Sequence, residues 1–323
     1  MKKHHHPHYR LSVNKAVDRY LLVELIRFAE KMQYIDMRNA DYFSLGGPFL
    51  IDHRIIHSYF PNTKLHSIED DEVTYMRQDR HVFCNIIELI NKDVSEYINE
   101  HSFDNPAVFW LDYTCITKQY LDTLANLALK LPVGSIVKIT FNASPPYKPV
   151  DEITGTEVNK FRSKFNDYIT DLSPEQITDS DKYCFLLYNM VICAIAKLQK
   201  ERVIPGFFVP CDFITYSDTS PMMSISGIIT RKEQIEELKK QLQEYDFFSP
   251  NGPQLINMPD LSIIERHFIN RKLPTDSIDD LLNTLGYPLQ RNEKAPFAET
   301  KKLLKIYAKF WHKYPEFIQT LIP

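Results

Sequence analysis

The spacing of apolar positions divides the chain into three stretches. Over residues 15–31 the apolar residues Val17, Leu21, Leu22, Leu25, Ile26 and Ala29 fall at helical intervals, with Asn14 placed to cap the helix. From residue 40, short apolar runs alternate with helical ones. "ADYFSL" reads as a buried strand, "PFLIDHRIIHSYF" as a helix with proline in its first turn, and "KLHSIE" as a strand. "DEVTYMRQDRHVF" follows as a helix whose opening acids suit its dipole. The alternation continues with "NIIELI", "DVSEYINEH", "AVFWLDY", "TKQYLDTLANLALKL" and "GSIVKITFNA" as strand, helix, strand, helix and strand.

Strands alternating with helices predict βαβ units, hence an α/β fold with a mostly parallel sheet and helices on both faces. Helices are expected at about 156–170 and 181–200. Two strands, about 207–216 and 222–230, are joined by "SDTSP", a connection short enough to force an antiparallel hairpin. The expected sheet has seven strands, five parallel and a terminal antiparallel pair. Past Arg231 the pattern is helical in "KEQIEELKKQLQEY", "LSIIERHFI", "TDSIDDLLNTLG" and "AETKKLLKIYAKFWHKY", and no further strand is expected. The predicted organisation is a tail and helix over 1–39, a sheet domain over 40–230 and a helical region over 231–323.

Composition narrows the function classes. With 323 residues the chain is long enough to bury a large core, and its formal net charge of −4 gives no general attraction to nucleic acid or anionic membrane. No run of 18 apolar residues suggests a membrane span, and "MKKHHHPHYR" lacks the apolar core of a secretory signal. Cys84, Cys115, Cys184, Cys193 and Cys211 are odd in number, scattered and without a CxxC pair, which fits reduced thiols in a cytoplasmic protein. His4, His5, His6 and His8 read as a tail. Lys301, Lys305, Lys309 and Lys313 form a stripe on the last long helix, read as a solvated face or a contact for an acidic partner.

In open α/β sheets, ligands bind beyond the carboxyl ends of the strands, where strand order reverses. The turns expected there carry "SLGGPF", "IEDDE", "NKD", "LDYT" and "NASPPY". The chain has only eight glycines, and Gly46–Gly47 is the one adjacent pair. Such a pair marks a backbone that turns sharply or meets a ligand closely. Glu69 lies 23 positions after Gly46 (69 − 46), near the spacing at which an acid meets ribose hydroxyls. Asp112, at a strand end, reads as a base for a hydroxyl or a hydrogen-bond acceptor for an amine, or else as the cap of the helix beginning near Thr117 or of its preceding turn. "SPPY", Ser144 to Tyr147, matches an amino-methyltransferase motif but follows the fifth strand, not the fourth. His53 and His57 have the i, i+4 spacing of a metal face, without a third ligand, and read as an ordinary helix face.

These features together resemble the class I S-adenosylmethionine-dependent methyltransferases over about 40–230. More narrowly, "NKAVDR", "YFSLGGPFLIDHRIIH", "SIEDDEVTYMRQ", "WLDYT" and "GSIVKITFNA" are similar to a divergent O-methyltransferase group within that fold. The resemblance implies a Rossmann-like three-layer sandwich with S-adenosyl-L-methionine as cofactor. It implies that Ser44, Gly46 and Gly47 meet the methionine portion, Glu69 the ribose and Asp93 the adenine, with Asp112 and Tyr113 facing the methyl acceptor. The usual first turn carries an acid before three spaced glycines; this chain has Ser44 and two adjacent glycines. The implied activity is methyl transfer to an O- or N-acceptor, a small molecule or a protein. The alternatives are a catalytically silent module binding a nucleotide or partner protein, and a nucleic-acid amino-methyltransferase using "SPPY".

Overall fold

The computed structural model describes residues 12–147, 155–197, 206–217, 219–250, 252–289 and 295–315. The histidines of the N-terminal tail lie outside them. The chain divides into two compact units: a larger one of Leu21–Thr215 with Ser220–Gln254, and a smaller one holding the residues up to Tyr20, Tyr216–Thr219 and those from Leu255 onward. The helix that follows residue 231 therefore belongs to the larger unit.

The strands are β1 (Asp41–Ser44), β2 (Lys64–Ile68), β3 (Ile87–Ile90), β4 (Ala107–Asp112), β5 (Ile136–Asn142), β6 (Phe207–Ser217), β7 (Pro221–Thr230) and β8 (Gln254–Ile256). They form one sheet in the order β3-β2-β1-β4-β5-β7-β6-β8. The pairs β1–β2, β1–β4, β2–β3 and β4–β5 are parallel, and β5–β7 is antiparallel. This is the doubly wound order reversing between β1 and β4, with β7 inserted antiparallel between β5 and β6. The predicted fold class holds, with one strand added. β8 escaped the sequence reading because "QLI" is too short to show a period.

Helices cover both faces of the sheet. On one face lie α2 (Ile51–Tyr59) and α3 (Glu72–His81): His53 of α2 meets Tyr42 edge-on at 5.4 Å, and Gln78 of α3 bonds Ser67. On the other lie α4 (Val94–Glu100) and α5 (Lys118–Lys130), with α7 (Ser180–Lys197) packed on α5. There Phe43, Phe109, Leu111, Ile139 and Phe141 meet Leu121, Leu124, Leu127, Leu187 and Met190 in one buried core. Each such side chain contributes about 1.5–3 kcal/mol on leaving water. Thr117 caps α5 by accepting from the Tyr120 amide at 3.1 Å, so Asp112 is not that helix's cap.

Two expected elements differ. Helix α1 (Val13–Lys31) is capped by Ser12, whose hydroxyl accepts from the Lys15 amide at 3.1 Å. Asn14 instead donates to the Ser217 carbonyl and accepts from the Met258 amide, both at 2.9 Å, within the smaller unit. The helix expected over 156–170 is α6 (Gly155–Lys164); beyond it the amides of Phe165 and Tyr168 bond three residues back, in turns.

After α8 (Ile235–Leu242) come α9 (Ile263–Asn270), α10 (Ile278–Leu285) and α11 (Pro296–Phe310). Ser262 and Ser277 open α9 and α10 with capping boxes, and Gly286 at φ 75° ends α10. Leu303, Leu304, Tyr307 and Phe310 are buried on α11, and Lys301, Lys305 and Lys309 lie on its other side, with Lys301 2.6 Å from Asp279, while Lys313 falls in the short 3-10 turn that follows (Trp311–Lys313). Among the described residues no helix is long and apolar enough to cross a membrane.

Candidate functional site

Strand register sets the geometry. Ser44, the last residue of β1, pairs with Ser67 of β2 on one side and Trp110 of β4 on the other. Two residues further along, Gly46, Glu69 and Asp112 share one level at the carboxyl edge of the sheet. The Glu69 amide still donates to the Ile90 carbonyl at 3.0 Å, and Asp112 still pairs with Thr140, so the ladder is intact at that level. With strands about 4.8 Å apart, Glu69 and Asp112 flank the β1 turn across about 10 Å. This is the point where strand order reverses, and three residues singled out in the sequence, Gly46, Glu69 and Asp112, lie there.

The turn itself is built from inside the protein. The Gly47 amide donates to the Leu45 carbonyl at 2.6 Å, and Gly47 takes φ 53°. A Cβ on Gly46 would lie 2.2 Å from Ser67 Oγ and 2.8 Å from His53 Cε1, which only hydrogen permits. A Cβ on Gly47 would meet nothing within 4 Å; there glycine serves the positive φ. Ser67 donates to Gln78 Oε1 at 3.0 Å, and Gln78 Nε2 donates to the Gly47 carbonyl at 3.1 Å. Both Ser67 and Gln78 are wholly buried. They clamp the turn between β2 and α3. Sequence reading missed this pair, since a serine in a strand and a glutamine eleven residues later form no motif.

His53 sits beneath the same turn. Its Nε2 donates to the His66 carbonyl at 3.1 Å, and Nδ1 is buried with no partner. Burial depresses its pKa to about 4, so the ring is neutral. No group of three metal-ligating side chains forms among the described residues.

Around the turn, Ser44 is buried and its hydroxyl has no partner. Glu69 is half-buried and accepts from the Asp71 amide at 3.0 Å through Oε1. Asp93 caps α4, accepting from the amides of Ser95 at 2.8 Å and Glu96 at 3.2 Å. Asp112 is half-buried and points to the Ser44 side of the sheet. Tyr113, the next residue, faces the opposite side. Its ring stacks on Tyr120 at 3.9 Å and on Phe141 at 5.8 Å. Its hydroxyl is buried without a partner, and burial first, then Tyr120 and Asp93, push its pKa well above the usual phenol range. Asp93 thus follows β3, two strands from β1, and Tyr113 follows β4 on the face opposite Asp112. In "SPPY", Ser144 is exposed and Tyr147 packs half-buried against the core.

A family model described as "Putative O-methyltransferase" matches residues 7–322. The chain belongs to this family. No curated protein matches it. Among solved structures, this O-methyltransferase family member is similar to LepI in complex with SAM, at 13% identity, covering 59% of this chain and 43% of that one, TM-score 0.33. It is similar to the methyltransferase SibL in its apo form, at 10% identity, 60% and 51% coverage and TM-score 0.36. It is also similar to the plantazolicin methyltransferase BpumL in complex with SAH, at 12% identity, 67% and 85% coverage and TM-score 0.37. The chain spans about half the length of the first two. TM-scores this low are too loose to carry a substrate from those proteins to this one; the fold stands on strand order and register.

Proposed function

We propose that this chain is an S-adenosylmethionine-dependent methyltransferase acting on an oxygen acceptor. The carrying observation is the shared level of Gly46, Glu69 and Asp112 at the reversal of strand order. The donors there fit the cofactor. A buried Ser44 hydroxyl without a partner ends β1 just before the turn, a carboxylate directly follows β2 where ribose hydroxyls bind in doubly wound folds, and a second carboxylate ends β4. Ser44 and the Gly46–Gly47 turn would hold the methionine portion, Glu69 the ribose and Asp93 the adenine. S-adenosylmethionine, when bound, supplies a methyl group already activated by its sulfonium. The chain's own part would be alignment and proton removal: Asp112 would take the acceptor hydroxyl's proton while the methyl group passes from the sulfonium sulfur to the acceptor oxygen, leaving S-adenosylhomocysteine.

A second reading has its own observation. Both glycines are accounted for by packing and backbone conformation without any ligand, as a catalytically silent module would show. Calorimetric titration with S-adenosylmethionine and S-adenosylhomocysteine separates the two. The enzyme reading expects micromolar binding of both, weakened about tenfold or more by Glu69→Gln, which removes the charged acceptor. A folded wild-type chain giving no heat with either ligand would establish the silent module.

A further inference from the structure

The helices of the smaller unit turn an apolar surface outward. On α9, Ile263 is 55% exposed, Ile264 76% and Phe268 55%, and Tyr287, just after α10, is 45% exposed. Ile264 and Phe268 stand four residues apart, on one stripe of the helix. Tyr287 lies at its flank, where its hydroxyl bonds the Glu265 carboxylate. The inward stripe is a different one: Ile269 is fully buried, and Arg266 lies 4.6 Å over the Tyr314 ring and donates to the Pro315 carbonyl at 3.4 Å. Single exposed apolar residues are ordinary; four grouped on one short helix and its neighbour are not.

We propose that this face binds a second copy of the chain, with α9 packing antiparallel against α9 of the partner across a two-fold axis between Ile264 and Phe268. In that register Ile264 meets the partner's Phe268, and the same contact recurs in reverse, as an isologous interface requires. Two features select a second copy as the occupant. The four side chains expose roughly 450 Å² of largely apolar surface, close to the apolar share of the about 800 Å² per partner that a standard interface buries. The charges at the two helix ends are also self-complementary. Asp260 is exposed just before the Ser262 cap, and Arg271 and Lys272 are exposed just after the last turn. Antiparallel packing brings Asp260 beside the partner's Lys272, with the two helix dipoles opposed, and Asp276, 3.5 Å from Lys272, is the only acid in an ion pair with it among the described residues. A partner of one charge sign would meet a like charge at one end of the same helix.

Sedimentation velocity on the full chain, over about 1–100 µM, tests this at the concentrations where standard interfaces form. The wild type is expected at twice the 38.0 kDa chain mass. Ile264→Lys is expected to weaken association by at least about 30-fold, as for a central hot spot, with circular dichroism and melting unchanged. Asp260→Lys weakens it as well, and adding Lys272→Asp restores it. A wild type that stays monomeric across the range, or a dimer indifferent to Ile264→Lys, overturns the proposal. So does a monomer that binds phosphatidylcholine–phosphatidylserine vesicles through the same residue.

Discussion

The two adjacent glycines do different work, and substitution separates them. Gly46→Ala drives a methyl group into Ser67 and His53, both buried and fixed, and is expected to cost about 3 kcal/mol. Gly47→Ala enters open space and meets only the penalty of a positive φ, about 1 kcal/mol. Urea denaturation measures both. Ser67→Ala should recover part of the Gly46→Ala loss, because the nearest clash is with its hydroxyl. His53 makes a pH prediction at the same spot. Its folded pKa of about 4 lies below the ordinary 6.5, so between those values the unfolded chain binds the extra proton. Stability from this group is intact above about pH 6.5 and falls by of order 3 kcal/mol as pH drops toward 4. Asp52 and His66 are the titratable neighbours, and His101, its pKa also lowered by burial, acts in the same direction. His53→Gln keeps a donor for the His66 carbonyl; its stability should depend more weakly on pH across that window, read from urea midpoints at pH 7 and 4.5.

At the scale of elements, Asp93 holds two assignments that one substitution can part. It caps α4 through two backbone amides, and the family resemblance gives it the adenine. Asparagine caps as well as aspartate, so Asp93→Asn should leave the melting temperature within about a degree. An adenine contact needs the carboxylate as acceptor, and affinity for S-adenosylhomocysteine should then fall several-fold. Unchanged affinity would reduce Asp93 to a cap. The alternation of strands and helices was legible in the sequence because β1, β2, β4, β5, β6 and β7 carry buried runs and each core helix a 3.6-residue stripe. The reversal point was legible too, because Glu69 directly follows β2 and Asp112 ends β4. What stayed hidden was long-range. Asn14 has the chemistry of a cap and sits one residue inside the helix, where its amide bonds residues more than two hundred positions away. Ser67 and Gln78 became partners only once β2 and α3 were brought together over the turn. Tyr113 looked like a site residue beside Asp112, yet consecutive strand residues face opposite sides of a sheet, and its ring lies in the core.

For the whole molecule, the division into two units makes ligand binding a local label. Ser44, Gly46, Gly47, Glu69, Asp93 and Asp112 all belong to the larger unit, and none to the smaller. A ligand that binds only the folded larger unit stabilises it by RT ln(1 + [L]/Kd), about 2.7 kcal/mol at a hundredfold excess over Kd. For a unit of more than two hundred residues this raises its melting temperature by about 5–10 °C. Where the smaller unit melts as its own transition, that transition should stay in place with saturating S-adenosylhomocysteine while the larger unit's moves. Differential scanning calorimetry with and without the ligand reads both at once. If only the smaller unit's transition shifts, the site at the β1 turn is excluded, because no residue of that turn would then be part of what the ligand holds together. If one cooperative transition moves as a whole, the two units unfold together, and the same shift still reports binding while no longer saying where it occurs; Glu69→Gln, whose tenfold weaker binding should cut the shift by about half or more at the same ligand concentration, then supplies the location.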